Sequence, residues 1–291
     1  MDQPIMKFVC HANGYEIAEH ADVIVPWWSF TKTLIAALAL TLVRDGRLSL
    51  DDPLDGQAFS LRELLLHRAG LADYGALPAY HAAVAADEDA WPVEYLLAQV
   101  APLHAKVTRG EFCYSNVGYA LLRRKLEEMT GLSLDEALRG RLGKPLGVNA
   151  PRIAMQRSDL DIVQMGSVTA YDPRWVYHGL AIGSLRDAGL LLHRLQTSDL
   201  LPQHLRDEMN AGMPVGGPGA DRPWRLAAYG LGVMTGIATN GLRVIGHTGG
   251  GPGSGIAVYH FPEGSKTAVV FIGGSRANEA ERESFALGAE I

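Results

Sequence analysis

Cysteine is scarce in this chain of 291 residues: Cys10 and Cys113 are the only two. Two thiols cannot staple a chain this long, so the fold must rest on its core, and a reducing compartment fits. Long apolar runs are also missing. The longest, Leu34 to Val43, is too short to cross a bilayer, so no membrane insertion is expected. Met1-Asp2-Gln3-Pro4 has no basic segment leading into an apolar one. No signal peptide is expected, and the expected location is cytoplasmic; a leader trimmed from the chain would leave an exported origin open. Positive charge is short too, with 26 Lys and Arg against 32 Asp and Glu. That balance argues against a nucleic-acid partner. The histidines form no His-Glu-x-x-His pair, and there is no Cys-x-x-Cys. No metal or other cofactor is therefore expected. Gly-x-Ser-x-Gly, Walker and dinucleotide glycine motifs are absent, which disfavours the α/β-hydrolase fold and nucleotide binding. No internal repeat or low-complexity segment is found.

What is present is a globular composition, 47% hydrophobic and 20% charged, long enough to bury a large core. The chain is organised around Trp27-Trp28-Ser29-Phe30-Thr31-Lys32 and the apolar stretch after it. Pro26 stops the preceding strand-like run, and Ser29 suits a helix start. The helix is apolar nearly all round and should be buried. Ser29 and Lys32, three apart, share a face. A hydroxyl beside an amine makes a nucleophile if the amine pKa falls, and burial at a helix N-terminus favours that. The bland reading is a Ser cap and a Lys that reaches solvent. For a lone Ser-x-x-Lys the bland reading wins, so its company elsewhere decides.

In chain order, Met6–Cys10 and Tyr15–Ala18 flank Asn13-Gly14 and predict a hairpin. The Ser29 helix ends near Asp45-Gly46. Ser60 with Glu63 reads as a capping box on a helix that closes at Arg68-Ala69-Gly70. Pro78 to Ala90 reads as a lid or a loop, Trp91 to Val100 as a helix with Pro92 in its first turn. Helices are expected over Tyr119–Thr130, Leu134–Leu142, Leu185–Leu195 and His204–Met209. Met213 to Pro223 is a Gly/Pro-rich break. One strand is expected over Tyr229–Ala238, with Leu242–Gly246 returning from the turn Thr239-Asn240-Gly241. His247 to Gly253 reads as a glycine-rich corner, Ile256–Phe261 and Thr267–Ile272 as strands, Asn278–Leu287 as a closing helix. Strands at both ends with helices between predict an α+β fold. Its antiparallel sheet, about 1–28 and 226–291, is flanked by helices, and an all-helical subdomain, about 29–225, is inserted.

Three motifs are each unique here. Only Ser29 has a Lys three residues later, only Tyr114 has an Asn two later, and only His247 opens a His/Lys-Thr-Gly triplet. Together, and in this order, they resemble the serine β-lactamase and penicillin-binding-protein superfamily. The nearest branch holds class C β-lactamases, D-alanyl-D-alanine carboxypeptidases, D-aminopeptidases and related esterases. The likeness extends to Asp45–Pro53, Leu64–Leu71, Gly179–Leu195, Tyr229–Gly232 and Phe261–Gly264. The chain departs in its early Ser29 and in a short link between Asp52 and Leu61, which suggests a shallow, open cleft.

The resemblance implies a β-lactamase/transpeptidase-like fold and acyl transfer from a small ester, amide or β-lactam. Ser29 would become acylated, with Lys32 or Tyr114 as the base. Tyr114 in that role needs its pKa to fall, pushed by Lys32 and His247. Asn116 would hold Lys32 and the substrate amide. The N–H groups of Ser29 and Gly250 would form an oxyanion hole, with Thr248 and Gly249 along the substrate. Taken singly, Tyr114 reads as a packed aromatic, Asn116 as a helix cap and His247-Thr248-Gly249 as a plain turn. His67 reads as a buried structural histidine, while Trp27, Trp28, Trp175 and Tyr177 line the cleft or pack the core. Esterase activity is the expectation, with a β-lactamase, D-Ala-D-Ala carboxypeptidase or D-aminopeptidase as the alternative. A second alternative is a binding protein that acylates once and stalls. Oligomeric state is not readable from the sequence.

Overall fold

The structure is a computed structural model and describes residues 5–290 except 55, 169, 218, 220 and 275. The opening tetrapeptide, on which the signal-peptide expectation rests, lies outside the described residues. So do one residue of the 52–61 link and two of the Gly/Pro-rich break.

The described residues form eleven strands and ten α-helices. The strands are β1 (Met6–His11), β2 (Glu16–Glu19), β3 (Ile24–Pro26), β4 (Arg152–Ala154), β5 (Leu180–Ser184), β6 (Met213–Pro214), β7 (Trp224–Tyr229), β8 (Met234–Ala238), β9 (Arg243–Gly251), β10 (Ser254–Phe261) and β11 (Lys266–Gly273). The helices are α1 (Thr31–Arg44), α2 (Leu61–Leu65), α3 (Pro78–Ala85), α4 (Val93–His104), α5 (Asn116–Thr130), α6 (Leu134–Leu138), α7 (Lys144–Leu146), α8 (Leu185–Thr197), α9 (Gln203–Asn210) and α10 (Ala277–Ala289).

Eight strands form one antiparallel sheet in the order β2-β1-β11-β10-β9-β8-β7-β6. The two ends of the chain thus meet as neighbouring strands, β1 beside β11, as the strand–helix–strand pattern predicts. β10 and β11 are buried along their whole length because both sheet faces are covered. Side chains alternate across the pleat. Ile256, Val258, Val269 and Phe271 join the core that holds α1 and α8, whereas Ala257, Tyr259, Val270 and Ile272 pack with Phe285 of α10. Twelve of the fourteen residues of α1 are buried, which explains its nearly unbroken apolar sequence.

Several expectations are corrected. The inserted segment is not all helical: β4 and β5 pair with β3 in a three-stranded sheet, from runs too short to show a period. The stretch Pro78–Ala85 is a helix, not a lid or loop. Its Ala-rich sequence has too little polar contrast to reveal a face. Tyr229–Ala238 is two elements, β7 ending at Tyr229 and β8 starting at Met234. The glycine-rich corner is strand: β9 runs through His247 to Gly251. The capping box expected at Ser60 with Glu63 forms, and Gly131 ends α5 in a left-handed conformation.

Cys10 and Cys113 are free thiols. Among the described residues, no helix is long and apolar enough to cross a membrane.

Candidate active site

Ser29 sits in the 3-10 turn Trp28–Phe30 that leads into α1, and it is not the helix cap. Trp28, just before it, takes φ +44°, a left-handed conformation that a bulky residue rarely adopts. The Trp28 indole is anchored by Nε1 donating to Ser254 Oγ at 3.1 Å. β9 passes flush against this turn. A Cβ at Gly249 would stand 2.8 Å from the Trp27 carbonyl oxygen and 2.9 Å from the Ser29 nitrogen. Glycine is required there by close approach rather than by a turn. β8 pairs with β9 only as far as Gly246, so residues 247–251 present an edge that β8 does not cover.

Lys32 is wholly buried in the first turn of α1. Its Nζ lies 3.2 Å from Ser29 Oγ, donates to Asn116 Oδ1 at 2.6 Å, and lies 3.2 Å from His178 Nε2. Burial, opposed by the Asp73 carboxylate, lowers its pKa from 10.5 to about 7. The shift disfavours the charged form by roughly 5 kcal/mol, at about 1.4 per unit. The amine is therefore half neutral near pH 7 and able to take a proton.

Asn116 opens α5, whose cap is Ser115, with its hydroxyl accepting from the Gly118 N–H. That places the Asn116 side chain free of capping. Its Oδ1 faces Lys32, and its Nδ2 donates to Asp73 Oδ2 at 3.2 Å. The Asn116 backbone N–H also donates to Asp73 Oδ1, at 2.8 Å. Asp73 thus orients the residue that orients Lys32. The sequence reading missed Asp73 and His178, because neither lies in a short motif.

Tyr114 stands with its ring centroid 5.0 Å from Lys32 Nζ. Burial raises its hydroxyl pKa well above the ordinary value, and a hydrogen bond with Ser29 works against this. The expectation that Lys32 and His247 drive it down is overturned. Neither is a standing cation: Lys32 titrates near 7, and burial lowers His247 to about 3. His247 is also spent on the protein. Its Nδ1 donates to the Thr248 carbonyl at 2.7 Å, so its Nε2 accepts from the Tyr229 hydroxyl at 2.9 Å.

His67 accepts the Ser115 N–H on Nδ1 at 3.0 Å and stacks at 4.3 Å on Tyr114. It supports the Tyr114 loop from behind. Trp28 lines the cleft, whereas Trp27 and Trp175 are buried in the core and Tyr177 donates to the Trp91 carbonyl, away from Ser29.

Two cavities meet here. One, about 420 Å³, has Ser29, Asn116 and His178 at its base and Trp28, Tyr80 and Tyr171 on its walls. The other, about 360 Å³, is lined by Tyr114, Arg222, Trp224, Thr248 and Asn278 among others. Gly250 lines both. None of the described residues of the 52–61 link lines either one. Its Leu54 and Phe59 are buried in the core, and the cleft wall comes from α3 instead.

Fold and site together define the class: a hydrolase that works through a serine. The Beta-lactamase family model matches residues 11–291, and the chain belongs to that family. No curated protein sequence matches it. Among solved structures, it is similar to a D-stereospecific amidohydrolase from Streptomyces sp., with TM-score 0.77 and 24% identity over 95% of this chain and 93% of that one. It is likewise similar to the D-amino acid amidase from Ochrobactrum anthropi SV3, with TM-score 0.78 and 21% identity over 98% and 95%. The octameric penicillin-binding protein homologue from Pyrococcus abyssi gives TM-score 0.77 and 20% identity over 97% and 72%. At these identities the likeness shows a shared fold.

Proposed function

We propose that the protein hydrolyses small esters or amides through an acyl-enzyme on Ser29. The observation that carries this reading is the buried Lys32 amine, with its pKa near 7, held 3.2 Å from Ser29 Oγ. Neutral Lys32 takes the Ser29 proton as Oγ attacks the carbonyl carbon. With Asn116 and His178 receiving its two N–H bonds, its lone pair is left for Ser29. The negative oxygen is held by the N–H groups of Ser29 and Gly250, one from the 3-10 turn and one from the β9 edge. Tyr114, protonated, hands its proton to the leaving group and is resupplied from Lys32. This places the leaving group in the Tyr114 cavity and the acyl group in the Ser29 cavity. Water then enters from the leaving-group side, and the same groups run in reverse.

Activity should rise with pH through about 7, as Lys32 loses its proton, and then level off. His178→Ala is expected to slow turnover about tenfold, the worth of one hydrogen bond at the reacting amine. It should also move that rise to higher pH, because a gap open to water stabilises the charged amine. Profiles of kcat/KM against pH for both proteins check this. A midpoint unmoved by the substitution would exclude His178 from tuning Lys32.

A p-nitrophenyl short-chain ester is expected to be turned over faster than a cephalosporin or a D-alanyl-peptide. His247 is neutral and turned toward Tyr229, so it offers no cation to a substrate carboxylate. An activated ester also asks little of Tyr114, since its leaving group departs without a proton. Values of kcat/KM for the three in one buffer decide. Faster cleavage of the cephalosporin or the peptide would replace the esterase reading with the β-lactamase or peptidase one.

A further inference from the structure

Behind Thr248 lies a polar group that the reaction does not use. Glu281, on α10, is wholly buried. Its Oε2 accepts from Arg222 Nε at 2.8 Å, and its Oε1 pairs with Arg222 Nη2. The same Oε1 lies 2.6 Å from the Tyr259 hydroxyl and 2.8 Å from Thr248 Oγ1. Thr248 Oγ1 and the Tyr259 hydroxyl are 2.7 Å apart.

The proton count in this triangle is fixed by chemistry. A carboxylate only accepts, and each hydroxyl has one proton to give. Thr248 donates to Glu281, whichever way the Tyr259 proton points, or it donates to Tyr259 while Tyr259 donates to Glu281. In both arrangements the Thr248 proton stays inside the triangle. What Thr248 turns to the leaving-group cavity is a lone pair. The charge count agrees. Arg222 lines that cavity, but Glu281 already balances it, and His247 is neutral. At the start of α10, Glu279 lies in the first turn and pairs with Arg276 at 3.1 Å, so that cation is balanced too.

We infer that Glu281, acting through Thr248, selects uncharged, hydrogen-bond-donating leaving groups (a primary amide nitrogen or an alcohol) and rejects leaving groups that carry a carboxylate. A carboxylate there would meet an acceptor oxygen, with a buried carboxylate directly behind it. Its own charge would find no unpaired cation among the described residues that line the cavity, and burying an unpaired charge is costly. Glu281 is a positioning residue in this account. The inference rests on the reading of Ser29 as nucleophile and of the Tyr114 cavity as the leaving-group side.

The test uses two thioesters with one acyl group, phenylacetyl-thioglycolamide and phenylacetyl-thioglycolate. Hydrolysis breaks the C–S bond, water supplies the hydroxyl to the acyl carbon, and the thiol leaves with a proton. Loss of thioester absorbance gives the rate. The full-length protein is expected to favour the amide by at least about tenfold in kcat/KM, after correction for the two uncatalysed rates. In Glu281→Gln, the new amide can donate to Thr248 and free its proton, and Arg222 is no longer balanced. The preference should then shrink or invert. A merely structural role would slow both substrates equally. Equal efficiency of the parent on both thioesters overturns the inference without any variant, as does an unchanged ratio in a folded Glu281→Gln. Failure to hydrolyse either one faster than Ser29→Ala removes the hydrolase reading, and the inference with it.

Discussion

Ser29→Ala is expected to lower turnover by roughly 10⁴-fold or more and to abolish covalent labelling by a fluorophosphonate or penicillin probe. The effect is large because Lys32 is aimed at this hydroxyl. Lys32 Nζ is fixed by Asn116 on one side and His178 on another, and the third direction of the amine is the one toward Ser29 Oγ. Stability should barely change. The Ser29 side chain caps no helix, and it sits half-buried at the foot of a cavity rather than within the core. Rates, labelling and thermal unfolding of the two proteins together form the check. Full labelling of the Ala variant would move the nucleophile elsewhere.

Tyr114→Phe is expected to slow turnover by roughly 10²–10⁴-fold, the usual worth of a positioned proton donor. The ring packing should survive, because the His67 and Tyr229 contacts are made by the aromatic face and edge. The cost should depend on the leaving group. Burial keeps the Tyr114 hydroxyl protonated, so its loss should hurt an amide, whose nitrogen must gain a proton, more than a p-nitrophenyl ester. A Phe variant equally slowed on both would mean that Tyr114 serves the attack step instead. One as fast as the parent would leave Lys32 acting alone.

These outcomes mark how far local sequence reached. Ser29 and Lys32 are one helical turn apart, and Tyr114 and Asn116 flank a helix cap, so their spacing is a property of short segments. The groups that tune them are not local. Asp73 meets Asn116 across 43 residues, His178 meets Lys32 across 146, and Glu281 meets Thr248 across 33. Nothing in a window of ten residues links such pairs. The electrostatics followed the same divide. A lowered Lys32 pKa followed from a buried helix start. The rise at Tyr114 did not, because it depends on how completely its neighbours exclude water and lose their own charge.

The fold shows a similar limit. The β1–β2 hairpin, α1, the Ser60 capping box and the closing helix were legible because turn chemistry, caps and period are written locally. α3 was not, because Pro78-Ala79-Tyr80-His81-Ala82-Ala83-Val84-Ala85 has His81 as its one strongly polar side chain. The end of β9 reads in sequence as a corner because glycine usually marks a turn. Here Gly249 and Gly251 admit the Ser29 turn and the Trp28 ring, so the reason for them lies in another part of the chain.

The central claim is the acyl-enzyme on Ser29. Intact-protein mass spectrometry after rapid mixing with a penicillin or an activated ester, acid quench and peptide mapping tests it directly. The predicted result is one acyl group per chain, on the peptide holding Ser29, formed faster than turnover ends and absent from Ser29→Ala. An adduct on any other residue, or hydrolysis at full rate with no adduct at any quench time, would contradict it.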